Sequence, residues 1–222
     1  NDDTQPTITI SSPSVTEGGN LTFAVTLSNQ SYQAITVNYS SSDGTATIAD
    51  NDYTALVSGT LTFAANTATL TQNIVVSTTA DTKFEPNETM NVTLSSPTNA
   101  TITGTNPGVG TITNDDTQPT ITISSPSVNE GGQLTFVVTL SNQSYQAITV
   151  NYASSDGTAT IADNDYTALT SGTLTFAANT TTLTQNIIVN TTTDTKFEPN
   201  ETMNVTLSSP TNATITGTNP GV

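Results

Sequence analysis

The chain has no cysteine, no histidine and no tryptophan, and only 2 lysine and arginine residues stand against 18 aspartates and glutamates. Each absence closes a class of function. Without cysteine there are no disulfides and no thiolate metal ligands. Without histidine or cysteine the common nucleophile and base pairs are missing, and no serine sits in a nucleophile elbow. Paired carboxylates could suggest glycoside hydrolysis. With aromatics at 5% and no tryptophan to stack on sugar, no lined groove for it is expected. The reading is therefore not an enzyme. A net charge of −16 argues against phosphate contacts, and so against nucleic acid. The same repulsion disfavours anionic membranes, and no apolar run approaches the roughly 20 residues of a membrane helix. No signal peptide is visible.

What is abundant is threonine, about a quarter of the 222 residues. Its branched side chain favours strands, and its hydroxyl suits the wet face of a sheet. Apolar and polar residues alternate in Thr7–Ile10, Leu21–Leu27, Ile35–Tyr39, Thr60–Ala64, Thr69–Ser77, Thr89–Ser95, Ala100–Thr103 and Val109–Thr113. Turn clusters separate them: Glu17–Asn20, Ser42–Thr45, Asp50–Asp52 and Asn106–Gly108. No window has helical periodicity. The pattern predicts an all-β chain of immunoglobulin-like sandwiches.

The chain is a duplication with a period of 113 residues. Residues 1–109 and 114–222 differ at nine positions: Thr16/Asn129, Asn20/Gln133, Ala24/Val137, Ser40/Ala153, Val57/Thr170, Ala68/Thr181, Val75/Ile188, Ser77/Asn190 and Ala80/Thr193. A period this long is a whole domain. The expected division is 4–116 and 117–222, with 1–3 as the tail of a preceding bead and the last strand of the second copy truncated. The joint from Asn114 to Pro119 is short and carries a proline, so a taut connection is expected. The segment reads as a piece of a longer array.

The acids lie in turns. Each copy holds nine, Asp2, Asp3, Glu17, Asp43, Asp50, Asp52, Asp81, Glu85 and Glu88 in the first. Alternate loops of an up-and-down sandwich share one end, so several acidic loops are expected to meet at one pole. Carboxylates gathered there repel, and a divalent ion would relieve them. Turn chemistry alone also explains an Asp before a Gly, and Asp50 and Asp163 read as turn formers. Tyr53, Phe84, Phe23 and Phe63 read as core or corner residues. Lys83 and Lys196 sit in polar loops, against an isopeptide link. The Asn-x-Thr sequons are those expected by chance in a chain rich in both residues.

Glu17-Gly-Gly, Ser42-Asp-Gly-Thr-Ala46, Asn51-Asp-Tyr53, Phe84-Glu-Pro-Asn-Glu88 and the terminal Ile112-Thr-Asn-Asp-Asp116 together resemble the Calx-beta domain, over essentially the whole of each copy. The family occurs in regulatory domains of sodium–calcium exchangers and in repeats of bacterial surface proteins. The resemblance implies a seven-stranded sandwich that binds calcium at one pole. The implied ligands are Glu17, Asp43, Asp81, Glu85, Glu88, Asp115 and Asp116. Asp52 is a further candidate that also has a structural reading beside Tyr53. In the second copy they are Glu130, Asp156, Asp165, Asp194, Glu198 and Glu201, without counterparts of the two terminal acids in this sequence. Asp81-Thr-Lys83 departs from the acidic run of calcium-sensing members, so fewer or weaker ions are expected. The function expected is a calcium-stabilised structural repeat of a long extracellular surface or fibre-forming protein. Its partners would be neighbouring repeats and other copies of the chain. A ligand-binding adhesin module and a calcium sensor are the alternatives.

Overall fold

The computed structural model describes residues 4–222, all strand, turn and loop. The segment 1–3, read as the tail of a preceding bead, lies outside the described residues. The described residues divide into two compact units: residues 4–81 with 86–115, and residues 116–222 with the short segment 82–85.

In the first unit β1 (Thr7–Ile10), β3 (Asn20–Leu27), β6 (Thr71–Ser77) and β8 (Thr101–Ile102) form a sheet in the order β6-β3-β1-β8. A second sheet runs β2-β9-β7-β4-β5, from β2 (Ser14–Thr16), β9 (Gly108–Thr113), β7 (Glu88–Thr98), β4 (Ile35–Asp43) and β5 (Gly59–Phe63). Alternation explains the layers. Ile8, Leu21, Phe23, Val25 and Ile74 of the first sheet and Val37, Phe63, Met90, Val92 and Leu94 of the second are all buried in one core. Threonines take the outer positions and pair across strands, as in Thr26 with Thr71 at 3.1 Å and Thr36 with Thr98 at 2.7 Å.

Every strand expected in the first copy is present, Thr7–Ile10 with the same ends and the others with shifted ends, and β2 is an addition. Ser11-Ser12-Pro13 interrupts the entering strand, and Pro13 has no N–H for a ladder. The chain leaves the first sheet there and joins the second. β1 lies parallel to β8, while β2 lies parallel to β9. Pro97 sits at the far end of β7 beyond a register shift, where the Thr36 amide donates to the Thr98 hydroxyl at 3.0 Å.

The second unit repeats this plan. One sheet is β14-β11-β10-β16, from β10 (Thr120–Ile123), β11 (Gln133–Leu140), β14 (Thr184–Asn190) and β16 (Thr214–Ile215). The other is β13-β12-β15, from β12 (Ile148–Asp156), β13 (Gly172–Phe176) and β15 (Met203–Thr211). Ile121, Phe136, Val138 and Val189 meet Ile148, Val150, Phe176, Val205 and Leu207 in its core. The strand corresponding to β9 starts at Gly221, which bridges to Val205.

Candidate metal centre

The loops that carry the acids are built by local constraints. Asp156 ends β12, and Gly157 follows it. A Cβ at Gly157 would lie 2.4 Å from the Thr202 carbonyl oxygen, so the turn admits no side chain. Asp156 is then held by its neighbours. Its Oδ1 accepts from the Tyr166 hydroxyl at 2.7 Å and from the Ile161 amide at 3.2 Å. Asp43 makes the same bonds to Tyr53, at 2.6 Å, and to the Ile48 amide, at 3.2 Å. Burial, with the hydrogen bond to Asp156 and its charge, pushes the Tyr166 hydroxyl up to about 12; burial raises Tyr53 likewise. Among the described residues Asp43 and Asp156 stand apart from every acidic group of metal-holding size. Both anchor a buried tyrosine.

Asp165 sits one residue before that tyrosine. Its Oδ2 accepts from the Thr160 amide at 2.7 Å, which fixes the carboxylate. Glu198 and Glu201 come from the loop between β14 and β15. Asp165, Glu198 and Glu201 each offer a carboxylate oxygen, and the three lie within 4.8 Å of one another. They share a cleft of about 850 Å³ with Glu130 and Asp194. The Asp194 amide donates to a Glu130 carboxylate oxygen at 3.3 Å, and Asp194 Oδ1 accepts from the Lys196 amide at 2.8 Å. Five of the six acids expected in the second copy thus face one cleft, together with Asn164 and Asn200, which the sequence reading did not single out.

The electrostatics are those of crowded anions. Partial desolvation raises the Glu201 carboxyl above its usual range. The charges of Asp165 and Glu198 and a hydrogen bond with Asp165 add to the rise, and Lys196 opposes it. The Lys196 ammonium pairs with Glu198, which in turn holds the lysine protonated to higher pH. One exposed monovalent charge therefore answers three carboxylates.

In the first unit Glu17 and Asp115 come together, with carboxylate oxygens within 4.8 Å, and the Asp115 amide donates to Glu17 Oε1 at 3.1 Å. Asp52 and Glu88 also approach within 4.8 Å, with Asp52 buried and its Oδ2 accepting from the Thr47 amide at 2.6 Å. Asp81 is exposed in its loop. Glu85 lies in the segment 82–85 and pairs with Lys83, and Asp116 opens the second unit. Lys83, expected in a polar loop, is buried. Asp50 and Asp163 are turn residues, each with its amide bonded to a threonine hydroxyl at 3.0 Å.

The donor set fits a hard cation. Every group is a carboxylate or amide oxygen, with no nitrogen or sulfur ligand, which suits calcium or magnesium rather than zinc or copper. In the second unit Asp165, Glu198 and Glu201 would hold the ion. It would supply the positive charge that Lys196 supplies only in part.

Solved structures with similar folds include CBD12 from CALX1.2, at 21% identity and a TM-score of 0.46, covering 92% of this chain and 80% of that one. The calcium binding domain CBD12 of CALX1.1 is similar at 19% identity and a TM-score of 0.43, covering 89% of this chain and 76% of that one. No curated protein matches the chain. The Calx-beta domain model matches twice, over residues 1–118 and 113–221. The chain belongs to the Calx-beta domain family and carries two such domains in tandem.

Proposed function

We propose that the chain is a calcium-stabilised structural segment of an extracellular surface or fibre-forming protein, in which bound ions fix the acidic loops and stiffen a string of domains. The observation that carries this reading is the group of Asp165, Glu198 and Glu201 in a cleft that also takes Glu130 and Asp194. Five acids against Lys196 leave a charge excess that a divalent ion would balance. The calcium level outside cells is millimolar, where such a partly open site with a competing lysine would fill. The partners are neighbouring repeats and other copies of the chain. The acidic balance argues against nucleic acid, and no helix among the described residues is long and apolar enough to cross a membrane. The absence of histidine and cysteine argues against an enzyme.

The test is thermal unfolding of the chain in millimolar calcium, in magnesium and in EDTA. An ion at 100 times its dissociation constant adds about 2.7 kcal/mol, a rise of roughly 10 °C for a domain of this size. Equal melting in calcium and EDTA would sink the reading. Family membership favours one second reading, a calcium sensor. It requires a dissociation constant near micromolar, and titration calorimetry separates the two.

A further inference from the structure

The second unit contains an aromatic contact whose two halves recur elsewhere in the chain without that contact among the described residues. In the segment 82–85, the Phe84 amide donates to the Gln143 carbonyl at 3.0 Å, and the Tyr145 amide donates to the Phe84 carbonyl at 3.1 Å. Phe84 thereby forms a parallel bridge with Ser144, and its ring packs on Tyr145 at a centroid distance of 6.2 Å and a tilt of 52°. The plug is a one-residue strand with an aromatic ring. The socket is the loop 143–145.

Both halves exist twice. Residues 194–202 repeat 81–89 without a change, and 28–34 are identical to 141–147. The second plug is Phe197 and the second socket is Gln30–Tyr32. The Phe197 side chain is fully exposed, and Tyr32 is 78% exposed against 37% for Tyr145. The free halves are also already shaped. Ser31 accepts from the Asn66 amide at 2.7 Å, as Ser144 does from Asn179 at 2.9 Å. The Gln33 amide bonds the Ser31 hydroxyl at 3.1 Å, as Gln146 does Ser144. The Lys196–Glu198 pair beside Phe197 repeats Lys83–Glu85 beside Phe84. The socket therefore needs no rebuilding to take a ring, and binding spends little on ordering it.

We propose that Phe197 docks on Gln30–Tyr32 of a second copy of this chain, forming the bridge that Phe84 forms with Ser144. Plug and socket are different surfaces, so the association is head to tail and does not close on a pair. It requires no bound ion and goes beyond the calcium reading.

The test uses two complementary variants. Phe197→Ser keeps the socket and loses the plug; Tyr32→Ser keeps the plug and loses the socket. Both replace exposed side chains, so each chain should fold. Isotope-labelled Phe197→Ser chain is titrated to millimolar with unlabelled Tyr32→Ser chain, in EDTA and in enough salt to screen a net charge of −16. The amide signals of Gln30, Ser31 and Gln33 should shift and saturate. Replacing the titrant with unlabelled Phe197→Ser chain should weaken binding at least about tenfold, as for loss of a central aromatic anchor. Shifts that are absent, or that do not depend on Phe197 in the titrant, would overturn the proposal. The EDTA keeps the outcome separate from whether the acids hold calcium.

Discussion

Glu201→Gln should change the response to calcium in two opposite directions. Asp165, Glu198 and Glu201 form three mutually repelling pairs within 4.8 Å. Neutralising Glu201 leaves one such pair, Asp165 with Glu198, and Glu198 already shares Lys196. In EDTA the variant should therefore melt higher than the parent chain, because the folded state no longer confines the third charge. In calcium the order should reverse. One of three anionic ligands is gone, and affinity at oxygen sites follows ligand charge. If the dissociation constant rises about a hundredfold, calcium that stood at 100 times the constant now only equals it. The stabilisation then falls from about 2.7 to about 0.4 kcal/mol, and the rise in melting temperature from roughly 10 °C to roughly 2 °C. Calorimetry on both chains, with and without calcium, reads all four states. An unchanged melting point in EDTA with an undiminished calcium shift would refute the reasoning, since the carboxylates would then be separately solvated.

Acidity should act on the same group. Glu201 holds its proton to a higher pH folded than unfolded, so in EDTA its contribution to stability falls as pH rises from the ordinary carboxylate value through the raised one. Calcium competes with that proton, and calorimetric titration should give weaker binding at pH 5 than at pH 7. Tyr166→Phe removes a hydrogen bond to a charged acceptor, and urea unfolding should show a loss of about 1.5–3 kcal/mol. Because Tyr166 ionises near 10 unfolded and about 12 folded, the parent chain should lose stability as pH climbs between those values, and the variant should lose less. Gly157→Ala places a methyl 2.4 Å from the Thr202 carbonyl and should cost about 1–3 kcal/mol in the same assay.

The sandwich was readable because strands that are half buried alternate strictly, and the long ones here do. Asn20–Leu27 is inward at every second residue. β2 was not readable: its three residues bury one side chain partly, and its partner lies 97 residues on. The gathering of acidic loops was legible as a set, and Asp165, Glu198 and Glu201, three of the candidates, come within 4.8 Å of one another. The resemblance implies Asp43 and Asp156 as ligands and the Asp-Gly sequence implies a turn; among the described residues both lie outside every acidic group of metal-holding size. Their tyrosine partners lie ten residues on in the chain, and spacing does not say which carboxylate a hydroxyl will reach. Phe84 was read as core or corner, yet its counterpart Phe197 is fully exposed. A lone phenylalanine between lysine and glutamate, in a loop with no alternation, is the signal that points outward.

The parallel pairing of β2 with β9 bears on how such a domain carries load. Ser14, Val15 and Thr16 align with Thr111, Ile112 and Thr113, and these strands lie near the two ends of the first domain. Pulled apart by those ends, parallel neighbours slide along each other, and their hydrogen bonds are loaded together in shear. An antiparallel hairpin pulled from its open end parts one bond at a time, like a zipper. The strand switch at Pro13 thus gives the domain a mechanical clamp at its ends, and its rupture force belongs to the three aligned pairs acting at once.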